Sequence, residues 1–282
     1  MRGAEFIAGK GFRVTYREDI FSRSGYLAGT DERRAEELNS YLRDPEVRAI
    51  LLARGGYGCS RILKTLDTTA FCRKPKLVAG YSDATALLLY LQQRCGAVVF
   101  NGPFVTDGQR ELSRLLRLLQ GPQRPLVISG LRPLSAGRVR APLTGGNLSL
   151  LTHSIGTPFE IEARGRILFV EEVNEAPYRI DRMVRQLALA GVFRGIRGLL
   201  IGGFSGCGGG KKAEGILLEA VEGRKIPVAA GFPAGHGRVN RSFPLGVTAT
   251  LDTAARSLVF APFFPVPTPR AKAGKSRRGR TH

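Results

Sequence analysis

Residues 78–91 read VAGYSDATALLLYL: an apolar run, a tight turn and a second apolar run. Ser82 stands at the tip of that turn, and two readings of it are open. A serine at this place caps the helix that follows, its hydroxyl accepting an N–H of the first turn. Alternatively it is a nucleophile held out on a strand-to-helix turn, with the next N–H, that of Asp83, aimed at the same spot. The GxSxG pattern of many nucleophile turns is absent. A serine attacks only when a base takes its proton, so the second reading requires a histidine. The chain has three, His153, His236 and His282. His282 ends a basic tail, and His153 falls in LSLLTHSIG, a predicted helix. His236 lies in GFPAGHGRVN, a glycine-rich loop after an apolar run, where a ring can be presented at a cleft. A histidine base needs an acid to fix its tautomer. Glu171 and Glu172 follow the apolar run ILFV. Alternation turns one of them inward, where a carboxylate is costly unless paired; pairing with one of the many arginines is the plainer account of Glu171. Two histidines and a glutamate have no recognised ligand spacing, so neither a metal nor a cofactor is expected.

The elements that must position these residues alternate. RVTY (13–16), AILLA (49–53), KLVAGY (76–81) and AVVFNGP (97–103) read as strands. TDERRAEELNSYLRD (30–44) reads as a helix capped by Thr30, and DATALLLYLQQRCG (83–96) as another. Strand and helix in alternation imply a parallel sheet with helices on its faces, and ligands of such sheets sit beyond the carboxyl ends of the strands. ARGGYG (53–58) and GYSD (80–83) both fall on that edge. Residues 121–144, rich in Pro, Gly and Arg, read as a crossover. Beyond it lie the strands RILFVEEV (166–173), GLLIGGF (198–204) and IPVAAGFPAGH (226–236). The helices between them are YRIDRMVRQLALAGVF (178–193) and AEGILLEAVEGR (213–224). The expected fold is therefore α/β, an N-terminal parallel-sheet (flavodoxin-like) domain at 1–120 plus a second, smaller α/β domain at 145–265. A basic tail follows at 266–282.

The 282 residues are 43% hydrophobic, enough for a substantial core, and contain no apolar stretch long enough to span a membrane. MRGAEFIAGKGFRV lacks the apolar core of a signal peptide. Cys59, Cys72, Cys95 and Cys207 are far apart without CxxC spacing, so free thiols in a reducing cytoplasm are expected. The net charge is +20, of which the last 13 residues supply six Lys or Arg and no acid. Such a tail reads as a solvated segment. No aromatic residue interleaves with its charges, which disfavours a nucleic-acid partner.

GYSDATALLLYL (80–91), ARGGYG (53–58), GGNLSLL (145–151), LFVEEVNEAPYRIDRM (168–183) and PAGHGRVNRSFPLG (233–246) together resemble the serine LD-carboxypeptidase family, which includes the microcin C immunity peptidases. The resemblance runs from about residue 12 to 262, with the motifs in the family's order. It implies an active site between two α/β domains, with Ser82 as nucleophile, His236 as base and Glu171 as its orienting acid. It implies an oxyanion hole from the N–H groups of Gly56 and Asp83, and substrate contacts from Gly55, Tyr57 and Asn147. The implied substrate is a muropeptide, a murein tetrapeptide losing its terminal D-alanine, and the implied form is a cytoplasmic homodimer. Two departures stand out. The family pattern has an extra strand and loop before RVTY, so an exposed sheet edge is expected here. The loop that usually reads HGP is NGP at Asn101–Pro103. The alternatives are an immunity-type peptidase hydrolysing an aminoacyl-nucleotide amide, a nucleic-acid-binding protein using its positive charge, and an inactive relative that binds muropeptide without turnover.

Overall fold

The computed structural model describes residues 2–120 and 125–263. The first part of the chain forms α1 (Arg2–Ala8), α2 (Asp31–Arg43), β1 (Ala49–Leu51), α3 (Cys59–Ile62), α4 (Thr69–Arg73), β2 (Leu77–Gly80), α5 (Ala84–Cys95), β3 (Val99–Asn101) and α6 (Gln109–Leu119). The helix read from 30–44 forms, with the Thr30 hydroxyl accepting the Arg33 N–H at 3.2 Å. The next part runs β4 (Val127–Ser129), β5 (Arg132–Ser135), β6 (Arg138–Asn147), α7 (Leu148–His153), β7 (Ile167–Val173), α8 (Pro177–Leu189), β8 (Gly198–Ser205) and α9 (Gly210–Ala220). It closes with β9 (Val228–Ala230), β10 (Phe243–Leu245), β11 (Thr248–Asp252) and β12 (Ser257–Phe260).

Two sheets result. In the first, β1, β2 and β3 are parallel and β10 joins antiparallel to β3, giving the order β1-β2-β3-β10. The second has the order β4-β12-β11-β6-β7-β8-β9-β5, with a parallel centre from β6 to β9. The α/β class and the two-unit arrangement are those expected. The second unit, expected to be the smaller, carries the larger sheet, eight strands against four. Its extra strands come from the stretch read as a crossover. Within 121–144, residues 125–144 hold β4, β5 and most of β6. Pro and Gly punctuate these strands, and the antiparallel outer positions of β4 and β5 tolerate them because an edge strand leaves backbone groups unpaired. The tail at 266–282 lies outside the described residues.

Two other expectations are corrected. RVTY is not a strand: residues 12–17 carry no regular structure. An extended segment becomes a strand only by pairing, and β1 ends the first sheet with no further strand beside it among the described residues. Cys72 and Cys95 are not free thiols. They are disulfide-bonded, with Cα atoms 4.6 Å apart, because the packing of α4 against α5 brings the ends of both helices together. Cys59 and Cys207 are free.

One apolar core spans both sheets. It joins Leu87, Leu91 and Val99 of the first unit to Leu143, Phe169 and Phe243. The rings of Phe169, Phe232 and Phe243 meet edge to face at 4.8–5.4 Å between centroids, the arrangement that aromatic quadrupoles favour. Among the described residues, no helix is long and apolar enough to cross a membrane.

Candidate active site

Strand β2 ends at Gly80, and two residues later Ser82 takes φ +56°. This left-handed conformation is uncommon for any residue with a Cβ, and such residues concentrate at functional sites. The turn is tight enough that a Cβ on Gly80 would lie 2.8 Å from the Ala84 side chain, so the sharp entry into α5 needs glycine there. Ser82 does not cap α5, whose N-cap position is Asp83. Its hydroxyl is turned elsewhere: Ser82 Oγ lies 2.9 Å from His236 Nε2.

The other ring nitrogen, His236 Nδ1, lies 2.8 Å from Glu171 Oε2, and the His236 N–H donates to the same oxygen at 3.3 Å. Serine, histidine and glutamate, 154 and 65 residues apart along the chain, thus form one hydrogen-bonded line. Burial pulls the imidazolium of His236 down. The Glu171 hydrogen bond and the charges of Glu171, Glu172 and Asp107 outweigh it, so the net shift is upward from the ordinary histidine value.

Alternation predicted one inward glutamate; both are buried, Glu171 at 1% and Glu172 at 3% exposed. Strand β7 is central and covered on both faces, and its register with β8 shifts between Val170 and Glu172. Each carboxylate is hydrogen-bonded. Glu172 accepts from Asn147 Nδ2 at 2.9 Å, from the Ser149 N–H and hydroxyl at 2.8 and 2.7 Å, and from the Val173 N–H at 2.9 Å. Asn147 Nδ2 also donates to Glu171 Oε1 at 3.2 Å, while its Oδ1 accepts the Leu150 N–H and caps α7. The Asn147 N–H donates to Thr85 Oγ1 on α5, which ties the acid's surroundings to the serine's helix. Asn147, expected as a substrate contact, is therefore buried with both ends of its amide bonded within the protein.

ARGGYG (53–58) follows β1, so it shares the carboxyl edge with the Ser82 turn. The Asp83 carboxylate accepts the Cys59 N–H at 2.8 Å and pins the end of this loop to the turn. Gly55 packs so closely on Phe104 that a Cβ would lie 2.8 Å from its ring. Gly56 has φ +148°, and a Cβ built on it would meet nothing within 4 Å. The N–H groups of Gly56 and Asp83 make no hydrogen bond within the described residues. Tyr57 is half exposed, its ring 5.9 Å from that of Tyr26. Arg54 is exposed, and its Nε donates to the Gly55 carbonyl at 3.2 Å.

The sequence reading missed several neighbours of this site. Tyr81 covers the His236 ring at 4.9 Å and Phe104 at 4.5 Å. Burial and the adjoining Asp107 push its phenol up to about 12. Asp107 carries no motif that could have flagged it, whereas Glu172 was visible as the second acid of LFVEE. His153 ends α7, as read, and takes no part in this cluster. No group of metal-ligating side chains occurs among the described residues.

Comparison with known proteins decides the family. Residues 1–102 match the LD-carboxypeptidase N-terminal domain, and residues 140–251 match the LD-carboxypeptidase C-terminal domain. The chain belongs to the LD-carboxypeptidase family. It is a hydrolase of the serine carboxypeptidase type. A probable murein peptide carboxypeptidase of Bacillus subtilis is 36% identical over 268 residues, covering 90% of this chain and 84% of its own. The crystal structure of a muramoyltetrapeptide carboxypeptidase from Oxalobacter formigenes has a TM-score of 0.79 at 30% identity, covering 92% of this chain and 91% of that one. The structure of MccF in complex with glutamyl sulfamoyl guanosine has a TM-score of 0.83 at 25% identity, covering 92% and 89%.

Proposed function

We propose that this LD-carboxypeptidase removes the terminal D-alanine from an L,D-linked murein tetrapeptide through a Ser82–His236–Glu171 triad. The observation that carries the reading is the unbroken line of hydrogen bonds from Ser82 Oγ through both nitrogens of His236 to Glu171. His236 takes the Ser82 proton as Oγ attacks the scissile carbonyl, and Glu171 holds the imidazolium that forms. The oxyanion is received by the N–H groups of Gly56 and Asp83; one such donor is worth about 3–4 kcal/mol of barrier. The proton then passes from His236 to the leaving amine. Water, deprotonated by the same histidine, hydrolyses the acyl-enzyme. Arg54, exposed in the ARGGYG loop, suits the carboxylate that a carboxypeptidase must recognise at the end of its substrate. A cytoplasmic homodimer belongs to the same reading.

The test is release of free D-alanine from murein tetrapeptide by the wild type beside Ser82→Ala. Release by the wild type alone supports the reading; equal release by both removes Ser82 as nucleophile. A second reading has an observation of its own in the likeness to the MccF complex. It is hydrolysis of an aminoacyl-nucleotide amide, so a peptidyl-sulfamoyl nucleoside belongs in the same assay. Turnover of that compound alone would favour it.

A further inference from the structure

Asn101, the first residue of NGP, has a partner in the histidine loop. Asn101 ends β3 in the first unit and is 2% exposed. Its Nδ2 donates to Oδ1 of Asn240 at 3.4 Å, and Asn240 is 7% exposed. The same Oδ1 accepts the N–H of Gly235 at 3.2 Å, one residue before His236. A second closure of this loop runs from the Arg241 N–H to the Pro233 carbonyl at 2.8 Å. The amide orientation of Asn240 follows from its partners, since an N–H and an Nδ2 both need an acceptor. Its own Nδ2 is buried without a partner, and so is the hydroxyl of Ser242 close by Gly102. A buried unpartnered donor destabilises the fold. Packing alone would favour an apolar side chain at such a place.

From these contacts we infer that Asn101 and Asn240 form a positioning latch. It holds the backbone at Gly235, and so the His236 ring, in register with Ser82. Ser82 rides on the strand next to β3: β2 pairs with β3 as far as Gly80 and Asn101, and the Gly102 N–H donates to the Gly80 carbonyl. Serine and histidine come from different units, so their separation depends on whatever ties those two edges together. The latch spans that gap next to the backbone pairing of β10 with β3, in which Phe243 faces Asn101. Neither asparagine touches the reacting atoms; both act through His236. A displacement of about 1 Å at a catalytic group can lower a rate by about a hundredfold.

This inference rests on Ser82 and His236 being nucleophile and base, and the test separates the two claims. A fluorophosphonate reports on serine activation without any natural substrate: Oγ displaces fluoride from phosphorus while its proton goes to the histidine. The rate of labelling is measured for the wild type, Ser82→Ala, Asn101→Ala, Asn240→Ala, their double variant and Asn240→Asp, each with its melting temperature. Asn101→Ala and Asn240→Ala are expected to label about tenfold or more slowly. The double variant should be no slower than the slower single, because the pair acts as one unit. Asn240→Asp, which keeps an acceptor for both donors, should recover to within about threefold of the wild type. Wild-type labelling rates in both alanine variants, or effects that multiply, would overturn the latch. Failure of Asn240→Asp to recover would do the same. If Asn240→Ala does not fold, Asn101→Ala and Asn240→Asp decide. Labelling of Ser82→Ala as fast as the wild type would overturn the nucleophile itself, and the latch with it.

Discussion

Glu171, the acid of the proposed triad, is a buried carboxylate. It is 1% exposed and bonded to His236 Nδ1, so replacing it by a neutral amide takes away the counter-charge of the imidazolium. Glu171→Gln is expected to lower kcat by about 10³–10⁴-fold with the fold intact, read by D-alanine release and a thermal melt. The pH dependence follows from the raised His236 value. A base works only when neutral, so kcat/KM rises as pH rises through the folded value. Its acid limb is expected above the unfolded value of about 6.5. The stability effect runs the other way: the stabilisation is complete below the unfolded pKa and lost as pH climbs through the folded one. Asp107 is among the groups that raise His236, so Asp107→Asn should move the limb to lower pH. An unmoved limb would remove Asp107 from the account. Arg54→Ala should raise KM at least tenfold with little change in kcat if Arg54 binds the substrate carboxylate. A fall in kcat at unchanged KM would contradict that role.

At the scale of elements, the histidine loop and the β7 strand end are packed without slack. Gly235 has φ +109°, and a Cβ there would lie 2.6 Å from Glu171 Oε2. Gly235→Ala therefore combines backbone strain with a clash on the acid. It should destabilise by about 2–4 kcal/mol and abolish turnover, measured by denaturant unfolding and product release. The disulfide acts on another element. It closes a loop of 23 residues that contains β2, the Ser82 turn and α5. Loop-closure entropy gives about 3 kcal/mol for a ring of that size. Reductant, or Cys95→Ser, should lower the melting temperature accordingly. An identical melt with and without reductant would show that the crosslink contributes nothing.

The molecule as a whole carries its candidate active site on a seam. Ser82 and the ARGGYG loop come from the first sheet, His236 and Glu171 from the second, and β10 crosses to pair with β3. One core runs beneath both. Unfolding should therefore be a single calorimetric transition, with equal calorimetric and van't Hoff enthalpies. Two resolved transitions would mean that the units fold independently.

Much of this was legible in the residues. The helix capped by Thr30, the strand before Ser82 and the helix after it are local: a cap, a two-residue alternation and a glycine suffice to specify them. The serine and the loop histidine could be singled out because their chemistry requires one another, while the choice of Glu171 over Glu172 came from the family resemblance. What the sequence could not reveal depends on partners far away in the chain. RVTY has strand composition but no neighbour to pair with, while β4 and β5 become strands despite Pro and Gly because β12 and β9 lie alongside them. The bond between Cys72 and Cys95 needed the packing of two helices. The burial of both Glu171 and Glu172, and the use of Asn147 to hold them, needed β7 to lie at the centre of a sheet. Residue types and short-range spacing set the available chemistry, and tertiary packing set the distances, because a hydrogen bond across 154 residues exists only where two sheet edges meet.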